Sequence, residues 1–229
     1  MSDLIGWANE VAFTFGQQRV LWADLLGNAA ALATVGLALR RSVWTWPVQI
    51  TCSILLFGAS MAAHLGGNAS RQVLLGSLAV YGWWKWTRDR RNAAEPSERV
   101  RVAWASARQR IVLLAALVVG TVAFAWLLSV THTSWAPLPD AYIFIGSAVA
   151  TFAQARGLVE FWLVWILVDL VGVPLAWTHG LVVSGLVYGV FFAMCVWGLV
   201  DWARAARRRT SATISAESGT QLADSVQTN

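Results

Sequence analysis

Glu160–Trp177 reads EFWLVWILVDLVGVPLAW, an apolar run with one carboxylate, Asp169, in its interior. A run of roughly 18 or more apolar residues is long enough to cross the hydrocarbon core of a bilayer as a helix. Outward from this segment the same texture recurs, giving seven candidate spans at 22–40, 43–64, 71–87, 110–131, 139–156, 159–178 and 181–203. The chain is 57% hydrophobic and 13% charged, with a mean hydropathy of +0.56, against about 25% charged residues in soluble domains. The expectation is an all-α membrane protein.

A net charge of +5 would suit nucleic acid, but the basic residues sit in short segments between apolar runs. Placing the C-terminus inside assigns Arg40, Arg41, Lys85, Arg88, Arg90, Arg91, Arg99, Arg101, Arg108, Arg110, Arg156, Arg204, Arg207, Arg208 and Arg209 to the cytoplasm. Only Arg19 and Arg71 of the 17 basic residues remain outside, as positive-inside topology requires. The bilayer, and not nucleic acid, is the expected partner. Asp3 and Glu10 stand where a cleavable signal would be basic, so residues 1–21 read as an extracytoplasmic, interfacial lead-in.

Enzyme chemistry finds no footing. Cys52 and Cys195 fall inside apolar runs and read as packing residues, while His64, His132 and His179 fall at outer span ends without metal-ligand spacing. No phosphate-binding loop is present. No catalytic residue, metal or cofactor is expected, and any transport must run on gradients or on trapping of the product.

Adding 116 to a residue number repeatedly returns the same residue type: Asp24 and Asp140, Arg40 and Arg156, Trp46 and Trp162, Gly82 and Gly198, Trp86 and Trp202. Self-similarity of this kind marks a duplication. The chain then divides into an N-terminal segment 1–21, a first three-helix repeat 22–87, a cytoplasmic linker 88–109, a linker helix 110–131, a second repeat 139–203, and a basic then disordered cytoplasmic tail 204–229. Parallel repeats of this type hold a substrate between the copies near midplane.

Trp162, Trp165 and Asp169 are spaced i, i+3, i+7 and share one helix face. An ionisable residue inside a span is by default a functional candidate, and two indoles beside a carboxylate offer a surface for a flat, polar-edged ring. Trp46, Gln49 and Ser53 occupy the equivalent face of the first copy, so the pocket is asymmetric. Asn28, Gln154, Tyr81 and Trp84 add hydrogen-bonding and stacking candidates. Glu160 reads as a helix cap, and Trp7, Trp22, Trp104, Trp135, Trp177 and Trp202 as an interfacial aromatic belt.

GLVEFWLVWILVDLVGVPL (Gly157–Leu175), SVWTWPVQI (Ser42–Ile50) and YGWWKW (Tyr81–Trp86) closely resemble the PnuC family of bacterial vitamin transporters, a likeness covering Trp22 to Trp202. The resemblance implies a 3+1+3, SWEET-like arrangement, a homotrimer in the inner membrane, and facilitated diffusion of a vitamin trapped inside by phosphorylation. Trp162, Trp165 and Asp169 match the family motif, as does Trp46. ADLLGN (Ala23–Asn28) and DAYIFIGSAVATFAQARGLVEFW (Asp140–Trp162) are most similar to members that carry riboflavin. Nicotinamide riboside is the alternative cargo, with thiamine also carried in the family, and a non-transporting anchor subunit is the alternative class.

Overall fold

The computed structural model describes residues 11–15, 18–62, 66–92, 100–134, 136–178, 189–209 and 211. Its body consists of α1 (Trp22–Leu39), α2 (Thr45–Ala62), α3 (Gly66–Arg91), α4 (Ala107–Val130), α5 (Pro137–Ala155), α6 (Glu160–Thr178) and α7 (Gly189–Arg209). Each apolar run read from the sequence overlaps one of them. Local signals set several ends: Ser106 and Gln109 form a reciprocal capping box at the start of α4, and Pro137 opens α5.

Two expectations need correction. The body is helical, but β1 (Val11–Phe15) and β2 (Gln18–Leu21) pair antiparallel just before α1, with VAFTF rich in β-branched and aromatic residues. Second, α3 begins at Gly66 and not at residue 71. Arg71 is therefore more than a turn inside α3 and borders the cavity, where the hydropathy pattern sets it at the outer end of the third span. α3 and α7 also run past their expected inner ends, through Arg91 and Arg209. Residues 212–229, expected to be disordered, lie outside the described residues.

α4 and α7 are long and apolar enough to cross a membrane by length and composition alone. In α4 only 6% of the apolar window is buried in the protein, and Ile111, Val119 and Trp126 face outward. An all-round apolar, exposed helix suits lipid.

α1 packs on α2, α2 on α3, α4 on α5 and α5 on α6, while α3 meets α5 across the middle of the bundle. Residues 116 apart take matching places in the core. Trp46 meets Trp86 edge to face at 5.1 Å, and Trp162 meets Trp202 likewise at 5.9 Å. The first indole of each pair lies against a glycine: a Cβ added to Gly82 would sit 2.5 Å from the Trp46 ring, and one on Gly198 2.4 Å from the Trp162 ring. The second indole of each pair reaches across. Trp86 Nε1 donates to the Ala155 carbonyl at 3.1 Å, and Trp202 Nε1 to the Ala38 carbonyl at 3.2 Å. Trp202, read as belt, is instead fully buried, since its partners come from α1 and α6.

The stretch 100–106 works as a strap over the corners that follow α1 and α5. Those corners use the left-handed region at Arg41 (φ 56°) and Gly157 (φ 69°), again 116 apart. Val100 N donates to the Arg41 carbonyl at 3.1 Å, and Ala103 N to the Gly157 carbonyl at 3.0 Å. Glycine is required at 157, because a Cβ there would lie 2.8 Å from the Arg101 carbonyl oxygen.

Glu160 fastens the strap to the second half. Its two carboxylate oxygens accept from Ala105 N at 3.0 and 2.9 Å, and Oε1 also accepts from Arg110 Nε at 2.9 Å. The carboxylate is buried while Arg110 is half exposed, so the backbone contact carries more of the stability than the ion pair. Glu160→Ala is expected to destabilise the protein by about 1–3 kcal/mol, read as a lower Tm in detergent, while ligand affinity of the folded fraction stays unchanged. Loss of affinity at unchanged Tm would move Glu160 from the frame to the site.

Candidate functional site

The helices enclose a cavity of about 440 Å³ between their two halves, within the roughly 300–1,000 Å³ range of small-molecule sites. Trp162, Trp165 and Asp169 all border it, with Phe161 beside them. The i, i+3, i+7 spacing on α6 thus delivers one face to one space. From across the cavity come Gln49 and Ser53 of α2, and from the end of α5 comes Gln154.

Each of these side chains is placed by packing behind it. Trp162 is 1% exposed, set between Gly198, Phe161 at 4.2 Å and Trp202. Its Nε1 is buried with no acceptor among the described residues. Trp165 is only half buried and keeps contact surface for a guest. Asp169 is 6% exposed, and its hydrogen-bond partner among the described residues is the Cys195 thiol, which donates to Oδ2 at 3.9 Å. A thiol is a weak donor, so most of the carboxylate's accepting capacity is left for a ligand or water. Gln49 and Gln154 likewise make no side-chain hydrogen bond to another described residue, although Gln154 is 5% exposed.

Three further candidates lie away from the cavity walls. Trp46 is sealed against Gly82 and Trp86. Tyr81 stacks on Phe152 with centroids 6.1 Å apart, and this pair belongs to the α3–α5 seam. Trp84 points outward, 56% exposed, with the Arg88 guanidinium 5.3 Å from its ring. The side chain of Asn28 lies outside the described residues, though α1 carries its backbone.

Other residues reach the cavity without standing out in the sequence: Thr34 on α1, Arg71 and Gln72 on α3, and Phe191 on α7. Arg71 Nη2 donates to Ser147 Oγ at 3.0 Å across the α3–α5 seam, and Ser147 in turn donates to the Ile143 carbonyl. The signal that marks this wall is periodic: Gln72 and Leu75, at i and i+3, repeat the start of the face used by α2 and α6. Hydropathy averaging hides it, because it begins the span at Arg71.

A bundle of apolar helices around a cavity with polar and aromatic walls has the build of a small-molecule transporter. The comparisons agree. The chain belongs to the nicotinamide mononucleotide transporter family, which it matches over residues 21–204. It is 47% identical over 206 residues to the riboflavin/roseoflavin transporter RibM of Streptomyces davaonensis, covering 89% of this chain and 95% of that one. It is 26% identical over 225 residues to the nicotinamide riboside transporter PnuC of Escherichia coli, covering 87% and 92%. The crystal structure of the vitamin B3 transporter PnuC shares the fold, with a TM-score of 0.66 at 21% identity over 82% of this chain and 83% of that one.

Proposed function

We propose that the protein carries riboflavin across the inner membrane by facilitated diffusion, with phosphorylation inside the cell trapping the product. The observation that carries this reading is the cavity itself. Four aromatic side chains, Phe161, Trp162, Trp165 and Phe191, border it together with the carboxylate of Asp169 and the amides of Gln49 and Gln154. An isoalloxazine ring is broad and planar, and its pyrimidinedione edge presents both an N–H and carbonyls. Stacking suits the ring; Asp169 accepts from the N–H and Gln154 donates to a carbonyl. The relatedness to RibM supports the same cargo.

The mechanism follows from the duplication. Two parallel three-helix copies, α1–α3 and α5–α7, joined by α4 in the 3+1+3, SWEET-like manner, rock about the cavity to face either side in turn. The matched pairs Trp46 and Trp162, Gly82 and Gly198, and Arg41 and Gly157 support this arrangement. The N-terminus lies outside and the C-terminus in the cytoplasm, on the strength of the basic-residue distribution. The homotrimer belongs to the same proposal and rests on the family resemblance.

Counterflow tests the reading. Purified protein in liposomes preloaded with riboflavin is expected to draw in labelled riboflavin, and an approximately tenfold excess of nicotinamide riboside is expected to leave that flux standing. Counterflow of nicotinamide riboside in place of riboflavin would change the cargo. No counterflow of either would leave only an anchoring role.

A further inference from the structure

We infer that the two walls of the cavity read different halves of one molecule: α6 and α7 take the planar ring, while the α2–α3 wall, through Gln72, takes a polyhydroxylated chain attached to it. The inference rests on the transport reading above and adds to it an orientation for the substrate and a specificity-determining residue.

The argument begins with the way the copies have diverged. Positions 116 apart border the cavity in pairs, and the chemistry changes within each pair: Gln49 with Trp165, Ser53 with Asp169, Leu75 with Phe191. Among the described residues, every aromatic side chain on the cavity comes from α6 or α7. Stacking needs a flat apolar face, so the ring has one wall to lie on. The opposite wall sets Thr34, Gln49, Ser53, Arg71 and Gln72 among aliphatic and small residues.

Gln72 is the most informative residue of that wall. It borders the cavity, is 7% exposed, and makes no side-chain hydrogen bond to another described residue. Its carboxamide is reached from the cavity and has no protein partner among the described residues, so a bound group can take the place of water there. Its chemistry specifies the group: an amide offers donors and an acceptor side by side, which is what a row of hydroxyls, each both donor and acceptor, can satisfy. Ser53 stands on the same stretch of wall, where α3 packs on α2 close to Gly76, one turn beyond Gln72. The Arg71–Ser147 bond holds this end of α3 against α5 and fixes where Gln72 stands.

Riboflavin and lumiflavin make the test, since both carry the isoalloxazine ring and lumiflavin has a methyl group in place of the ribityl chain. In cells lacking their own flavin carriers, wild-type protein is expected to prefer riboflavin to lumiflavin as a competitor of labelled riboflavin by about tenfold or more. Gln72→Leu is expected to erase most of that preference by weakening riboflavin alone, with lumiflavin competing as before. Gln154→Leu, on the ring side, is expected to weaken both ligands in parallel. Equal competition by the two flavins in the wild type needs no variant to fold and overturns the inference outright. So does a Gln72→Leu protein that reaches the membrane and loses both ligands equally or neither. Absence of any flavin binding by the wild type overturns the transport reading itself, an outcome distinct from a failed orientation.

Discussion

Asp169→Ala and Trp165→Ala are each expected to reduce riboflavin uptake about ten- to a hundredfold, while the protein still reaches the membrane in normal amount. Asp169 is buried on an apolar helix, where a charge is costly, and the thiol of Cys195, 3.9 Å away, does little to satisfy it. Removing the carboxylate therefore leaves no strong internal network broken, which is why accumulation survives. What disappears is the charge-assisted acceptor for a ligand N–H, worth about 1.5–3 kcal/mol, or about ten- to a hundredfold in affinity. Trp165 acts through area: it is the half-buried indole on the aromatic wall, and its truncation removes both a stacking face and the packing that excludes water. Trp165→Phe is expected to retain part of the uptake, since it keeps a flat ring. Uptake assays beside a membrane-fraction blot check these expectations, and full uptake by both alanine variants would remove the site from α6.

The second large effect is on the frame. Gly198→Val would place its Cβ within 2.4–2.6 Å of three atoms of the Trp162 indole, and Gly82→Val would do the same to Trp46 at 2.5–2.6 Å. Both indoles are backed by other aromatic rings. Trp162 has Phe161 at 4.2 Å and Trp202 at 5.9 Å, and Trp46 has Trp86 at 5.1 Å. Overpacking of this kind costs about 1–3 kcal/mol, or more where the backbone must move. Both valine variants are expected to accumulate several-fold less and to melt earlier in detergent. Gly36→Ala, where an added Cβ meets nothing within 4 Å, is expected to behave as wild type. A Gly198→Val protein as stable as Gly36→Ala would mean that the glycine is not holding the indole in place.

The contrast between α2 and α6 marks how far residue spacing alone reaches. Trp46 and Trp162 share a counterpart position, and the repeat predicts similar surroundings for both; they have them, each against a glycine and a second indole. What the repeat does not carry is that Trp162 also borders the cavity while Trp46 does not. Fine placement of this kind depends on how the halves lean on one another, a property of the packed bundle and not of either helix. The face of Trp162, Trp165 and Asp169 is legible because helical spacing alone collects those residues. Gln72 is not, because it follows an arginine, and a charge beside a polar amide looks like the end of a span when the arginine's partner, Ser147, is 76 residues away. Glu160 is legible as a capping residue, but the N–H it accepts from belongs to Ala105 on the strap, which no local pattern connects to α6.

The crossed indole bonds have a consequence in the language of symmetry. Trp86 donates to the carbonyl of Ala155, whereas its counterpart Trp202 donates to Ala38, whose own counterpart is Gln154. Under a pure two-fold rotation the acceptors would be equivalent; they differ by one residue, or about 1.5 Å of helical rise. The two seams are therefore not exact copies of each other, and a guest held between them meets backbone of unequal register on its two sides.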